Sequence, residues 1–122
     1  MENFAPEIDQ VLPLTPTVFH ILLALADRER HGYAIMQEVT AMTQNQVRMG
    51  PGTLYGSIKR MLKAGLIQES DERPDPELDD ERRRYYRLTD FGRRVLAAEA
   101  ERLSTLVGVA QAKRILGSAE VG

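Results

Sequence analysis

Cysteine and tryptophan are both missing from these 122 residues. Without cysteine there is no disulfide, no thiolate metal site and no cysteine nucleophile. Histidine is nearly missing as well. His20 and His31 stand alone, in no metal-ligand spacing and with no serine and aspartate arranged for nucleophilic catalysis, so nothing points to an enzyme. Gly50-Pro51-Gly52 lacks the downstream Gly-Lys-Ser/Thr of a nucleotide phosphate loop. Asp71, Asp75, Asp79 and Asp80 lack the mid-loop glycine of a calcium loop and are interrupted by prolines, so no metal or cofactor is expected. The longest apolar run, Ile21 to Ala26, is far too short to cross a bilayer. Met1 to Glu7 is acidic, not basic and then apolar like a signal peptide. A cytoplasmic protein with no membrane partner is the expectation.

An excess of positive charge is also lacking: the net charge is −2 and the pI about 5.7. Taken whole, that argues against a nucleic-acid partner. Position answers the objection. Residues 48–68 hold Arg48, Lys59, Arg60 and Lys63 with no acid, and residues 82–94 hold six arginines against Asp90 alone. The acids crowd into residues 69–81 and the two ends of the chain. Local field, not total charge, steers a phosphate backbone.

What the chain does contain is a short helix with its start and stop written in. Pro51 suits a first helical turn, where its missing N–H would have no partner anyway, and Gly65 suits a left-handed stop. Leu54, Ile58, Met61 and Leu62 form one stripe; Gly52, Thr53, Gly56, Lys59, Arg60 and Lys63 fall opposite. Cations, a hydroxyl and glycines without a carboxylate suit a helix lying against a polyanion, and the stretch reads as a DNA recognition helix. Thr53, Gly56 and Arg60 are expected near the groove, with Lys59 and Lys63 at the phosphates.

Around it, residues 1–13 form an arm in which Ile8, Val11 and Leu12 make one amphipathic turn. Thr15-Pro16 starts a very apolar helix, Val18 to about Arg28, suited to a core or a subunit interface. A second helix is predicted from Tyr33 to Thr43, and Gln46 to Met49 has room for a short strand. Leu66 to Ser70 and Arg83 to Leu88 read as the two strands of a hairpin; in the second, alternation separates Arg84, Tyr86 and Leu88 from Arg83, Tyr85 and Arg87. Thr89 caps a long helix carrying Leu96, Ala100, Leu103, Val107 and Ala110 as a heptad seam. The fold class is therefore mainly α with a small β-hairpin (α+β): a winged helix-turn-helix domain over 14–88, a C-terminal dimerisation helix over 89–116 and a tail over 117–122. One domain is what this length allows.

Five blocks at these spacings resemble the PadR family of bacterial transcriptional regulators: Leu14-Thr15 through Leu25, His31 to Ile35, Pro51 to Tyr55, Leu62 to Ile67, and Arg83 to Gly92. The resemblance is to its short members. It implies a winged-helix homodimer, usually a repressor, on a palindromic operator of double-stranded DNA. The expected DNA contacts are Tyr33, Gly52, Thr53, Tyr55, Gly56, Ser57, Lys59, Arg60, Lys63, Arg83, Arg84 and Arg87. The expected dimer interface is Val18, Leu22, Leu96, Ala100, Leu103, Leu106, Val107 and Ala110. A small-molecule effector, apolar and seated between subunits, would act by changing the spacing of the recognition helices. Gly56 departs from the bulkier residue common in relatives, and the missing tryptophan excludes the aromatic drug-stacking of some relatives. The alternative from another class is a winged helix that docks protein without binding DNA.

Overall fold

In the computed structural model, which describes residues 5–70 and 84–117, five helices surround a small antiparallel sheet. The arm forms α1 (Ala5–Val11), whose Ile8 and Val11 pack on the core. In α2 (Pro16–Ala24) the Thr15 hydroxyl accepts the Val18 N–H, with proline in the first turn. This helix stops short of its predicted end. Arg30 turns back to donate from Nε to the Ala24 carbonyl at 2.8 Å, satisfying an orphan acceptor. It also pairs with Asp27 and Glu38.

Arg30–His31 is a strand, β1, that the sequence did not announce. His31 then serves as the cap of α3 (Gly32–Met42), its Nδ1 accepting the Ala34 N–H at 3.2 Å. No strand forms at 46–49. The Thr43 hydroxyl accepts the Val47 N–H at 3.1 Å, and Gln44 and Asn45 turn the chain at positive φ, so this segment reaches α4 without a strand partner.

The helix α4 (Pro51–Lys63) ends as its sequence implies. Gly65 has φ +77°, with Gly65 N–H donating to Leu62 and Leu66 N–H to Met61, the paired bonds of a Schellman stop. The expected hairpin is part of a three-stranded sheet ordered β1-β3-β2, where β2 is Ile67–Ser70 and β3 is Tyr85–Leu88. Ile67 faces Leu88 and Ser70 faces Tyr85; on the other edge Arg30 faces Tyr86. Being central, β3 buries both Tyr85 and Tyr86, so alternation does not divide its tyrosines into inside and outside. Tyr86 joins the core, while Tyr85 meets the His31 ring edge-on at 5.3 Å.

Thr89 joins three elements. Its hydroxyl accepts the Gly92 N–H, capping α5 (Asp90–Ala112), and donates to the Gly65 carbonyl at 2.6 Å; its own N–H donates to Leu66. Gly92 must be glycine, because a Cβ there would collide with the Leu66 carbonyl. Beyond Ala112 the helix stops on Arg114 at φ 65°, an uncommon conformation for an arginine. The core collects Ile21, Leu22 and Leu25 of α2 and its cap, Ile35 and Val39 of α3, Leu54, Ile58 and Met61 of α4, and Val95 and Leu96 of α5. Among the described residues no helix is long and apolar enough to cross a membrane.

Candidate nucleic-acid interface

With residues about 100° apart around a helix, α4 divides cleanly. Leu54, Ile58 and Met61 are buried, and Gly52, Gly56, Lys59 and Lys63 lie on the far side. Thr53 and Arg60 fall on one flank and Tyr55 on the other. The centre of the outer face is thus two lysines and two glycines, and Arg60 stands beside it.

Arg48, Lys59, Arg60 and Lys63 are all exposed, and no carboxylate among the described residues pairs with them. Arg60 donates to the Ser57 hydroxyl at 3.3 Å. A Cβ at Gly52 would meet nothing within 4 Å, and one at Gly56 only the Arg60 guanidinium. The fold does not need glycine at either place, and a mid-helix glycine costs about 0.5–1 kcal/mol relative to alanine. Bare backbone on an exposed cationic face suits a surface that something else approaches closely.

Ser57, expected among the DNA contacts, is corrected by its burial: it is 1% exposed, on the border of the apolar stripe, and offers no outer surface. Tyr33 and Tyr55 are exposed, at 58% and 49%. The Tyr55 hydroxyl lies where a side chain at Gly32 would be, which explains why glycine precedes Tyr33 at the start of α3. Thr53 is exposed as expected.

In the sheet, Arg84 pairs with Glu69 at 3.2 Å and Arg87 with Glu29 at 3.6 Å, all four partly or fully exposed. These arginines carry local counter-charges that reading residues 82–94 alone did not reveal. Arg83 and the acidic stretch 71–81 lie outside the described residues.

The expected subunit seam splits. Leu22 is 0% exposed and Leu96 7%, both inside the protomer's own core, so neither is free to meet a partner. Leu96 was placed there by helical spacing and Leu22 by the apolar character of its helix, and neither says which body covers a face. Val18 packs partly on the core. Ala100, Leu106 and Val107 are exposed, Leu103 and Ala110 half-buried; Val109, Ile115 and Leu116 extend the uncovered apolar surface.

Buried Glu99 was not singled out in the sequence. Its carboxylate accepts from Arg102 at 2.7 and 3.0 Å and from the Leu14 backbone N–H at 3.1 Å, tying the arm to α5. The Arg102 hydrogen bonds hold the carboxyl below its usual range against the opposing push of burial, and the Leu14 N–H assists them.

Comparisons with known proteins agree with this layout. Residues 21–98 match the transcriptional regulator PadR-like family. Transcriptional regulator Rv3488 of Mycobacterium tuberculosis is 36% identical over 98 residues, covering 80% of each chain. An uncharacterized 37.1 kDa protein of a Streptomyces fradiae transposon is 35% identical over 72% of this chain, which spans only 23% of that longer protein. The Bacillus subtilis PadR solved in complex with operator DNA superposes with a TM-score of 0.58 at 20% identity, covering 70% of this chain and 47% of that one, a likeness of fold.

Proposed function

This chain belongs to the PadR-like family of transcriptional regulators, and from that premise we propose that it acts in the cytoplasm as a homodimeric repressor of palindromic double-stranded DNA. The observation that carries this reading is the outer face of α4, where Lys59 and Lys63 flank bare backbone at Gly52 and Gly56 with no carboxylate paired to either lysine among the described residues. That helix enters the major groove. Lys59 and Lys63 supply charge at the phosphates, Thr53 and Arg60 reach base edges from one flank, and Tyr55 and Tyr33 meet the backbone from the other. Arg84 and Arg87 add non-specific affinity from the sheet, reduced by Glu69 and Glu29 beside them. A protein of like fold solved in complex with operator DNA supports DNA as the partner.

One such helix makes too few contacts for operator selectivity; a two-fold pair about 34 Å apart reads successive grooves on one side of a duplex. The uncovered apolar surface of distal α5 supplies the pairing. Repression then follows from occupancy of the operator.

The test is to sequence DNA fragments selected by the purified protein, then measure binding across salt. Lys63→Ala should weaken all sequences alike and lower the salt slope by about one. Arg60→Ala should cost about 1–3 kcal/mol on the operator and relax preference at one base. No selectivity over random DNA, or two variants indistinguishable from wild type, would sink the reading.

A further inference from the structure

Ser57 carries a hydroxyl on the margin of an apolar stripe, and at 1% exposure that hydroxyl needs a hydrogen-bond partner inside the protein. Among the described residues the partner is Arg60, whose Nη2 donates to Ser57 Oγ at 3.3 Å. Of the exposed cations Arg48, Lys59, Arg60 and Lys63, Arg60 alone is held this way among the described residues. Helical spacing explains the geometry. Side chains on a helix lean toward its N-terminal end, so Arg60 reaches the residues three and four positions before it, Ser57 and Gly56. Its Nη1 lies 3.7 Å from where a Cβ at Gly56 would be. The guanidinium is thus anchored at the buried margin by Ser57 and laid across Gly56, toward the centre of the outer face.

We propose that Ser57 is a positioning residue: it touches no DNA itself, and it presets Arg60 to read a guanine. Arginine reads guanine through two N–H bonds to O6 and N7, a planar fork with little tolerance for rotation. One N–H of the guanidinium goes to Ser57, and enough remain for the fork. A free arginine on an exposed face must give up its rotamer freedom when it meets a base; one already held has less to lose. Lys59 and Lys63 have no such anchor among the described residues, which suits contacts to phosphates, where a point charge needs no fixed orientation. The role in base reading rests on the DNA-binding reading above; the tether does not.

The tether is measured first, in the free full chain. By nitrogen-15 relaxation the Arg60 Nε–H should be more ordered than that of Arg48, and Ser57→Ala should lower it to the Arg48 level while the melting temperature is kept. An Arg60 as mobile as Arg48 in wild type, or order that survives Ser57→Ala, overturns the tether. DNA fragments selected by wild type are then compared with the same fragments changed at each base pair. Arg60→Ala should remove the preference for guanine at one position. Ser57→Ala should lower that preference at the same position by about five-fold, the effect of one modest hydrogen bond, and leave the affinity for random DNA and the salt slope unchanged. Adding Ser57→Ala to Arg60→Ala should change nothing further, because the two act as one unit. A Ser57→Ala variant with wild-type base preference, or a further loss when it is added to Arg60→Ala, overturns the positioning role. A protein that selects no DNA overturns the repressor reading and this role with it, while the relaxation measurement still reports on the tether.

Discussion

The first half of α5 and the second half carry apolar residues at similar spacing, yet Val95 and Leu96 lie in the protomer's own core while Leu106, Val107 and Val109 face solvent. Glycine repeats the contrast: Gly92 is pressed against the Leu66 carbonyl, whereas a Cβ at Gly108 would meet nothing within 4 Å. Periodicity states which face of a helix is apolar. What covers that face depends on whether the rest of the chain reaches it, and here the domain reaches only to about Glu99.

The contrast breaks most visibly at Gly92. Gly92→Ala drives a methyl into backbone that cannot yield, and should cost about 3 kcal/mol, read as a large fall in the urea midpoint. A variant as stable as wild type would mean that α5 is not seated on Leu66. The next effect belongs to the other half. Leu103→Asp with Val107→Asp should keep the helical circular dichroism but sediment as a monomer and lose operator binding, since the charges would have no partner at the interface. A double variant that remains a dimer with full operator affinity would show that the subunits meet elsewhere.

Glu99 marks the boundary between the halves, and replacing it sharpens the comparison. Glu99→Leu leaves the Leu14 N–H and Arg102 without their acceptor, and should cost about 1–3 kcal/mol near neutral pH. The folded carboxyl titrates below its ordinary value of 4.5, Arg102 being the main cause. Its stabilisation is therefore whole above that value and is lost as pH falls through the lowered folded one. Melting temperatures of wild type and variant should converge as the pH drops from 7 to 3; a constant gap would mean that the charge of Glu99 is not what matters. The smallest effect is expected at Gly108, which points away from the Leu103–Val107 seam. Gly108→Ala should add about 0.5–1 kcal/mol without altering assembly, and a weakened dimer would place this side of the helix at the interface.

How far the sequence could be read follows from range. The caps at Thr15 and Thr89 and the Gly65 stop were legible because each is satisfied within a few residues. The strand at Arg30–His31 was not, for its partner is Tyr85–Tyr86, far along the chain, and two residues carry no period. Ser57 was misplaced because it lies at the margin of the buried stripe of α4, where small polar residues fit either side. The pairs Arg84–Glu69 and Arg87–Glu29 escaped for the same reason as β1: they join segments that only folding brings together.

The joint at Thr89 gives the molecule a mechanical property. One side chain clasps the end of α4 and the beginning of α5, so the two helices meet at a joint at the base of α4, from which α5 extends as an arm. At 1.5 Å per residue that arm is roughly 35 Å long, and a swing of about 5° displaces its far end by about 3 Å. Run in reverse, a displacement of that size at the tip becomes a small rotation delivered at Gly65. Val95 and Leu96 in the core and the Glu99–Leu14 hydrogen bond lie along this same helix, so a rotation at its base carries the packing of α2 and the N-terminal arm with it.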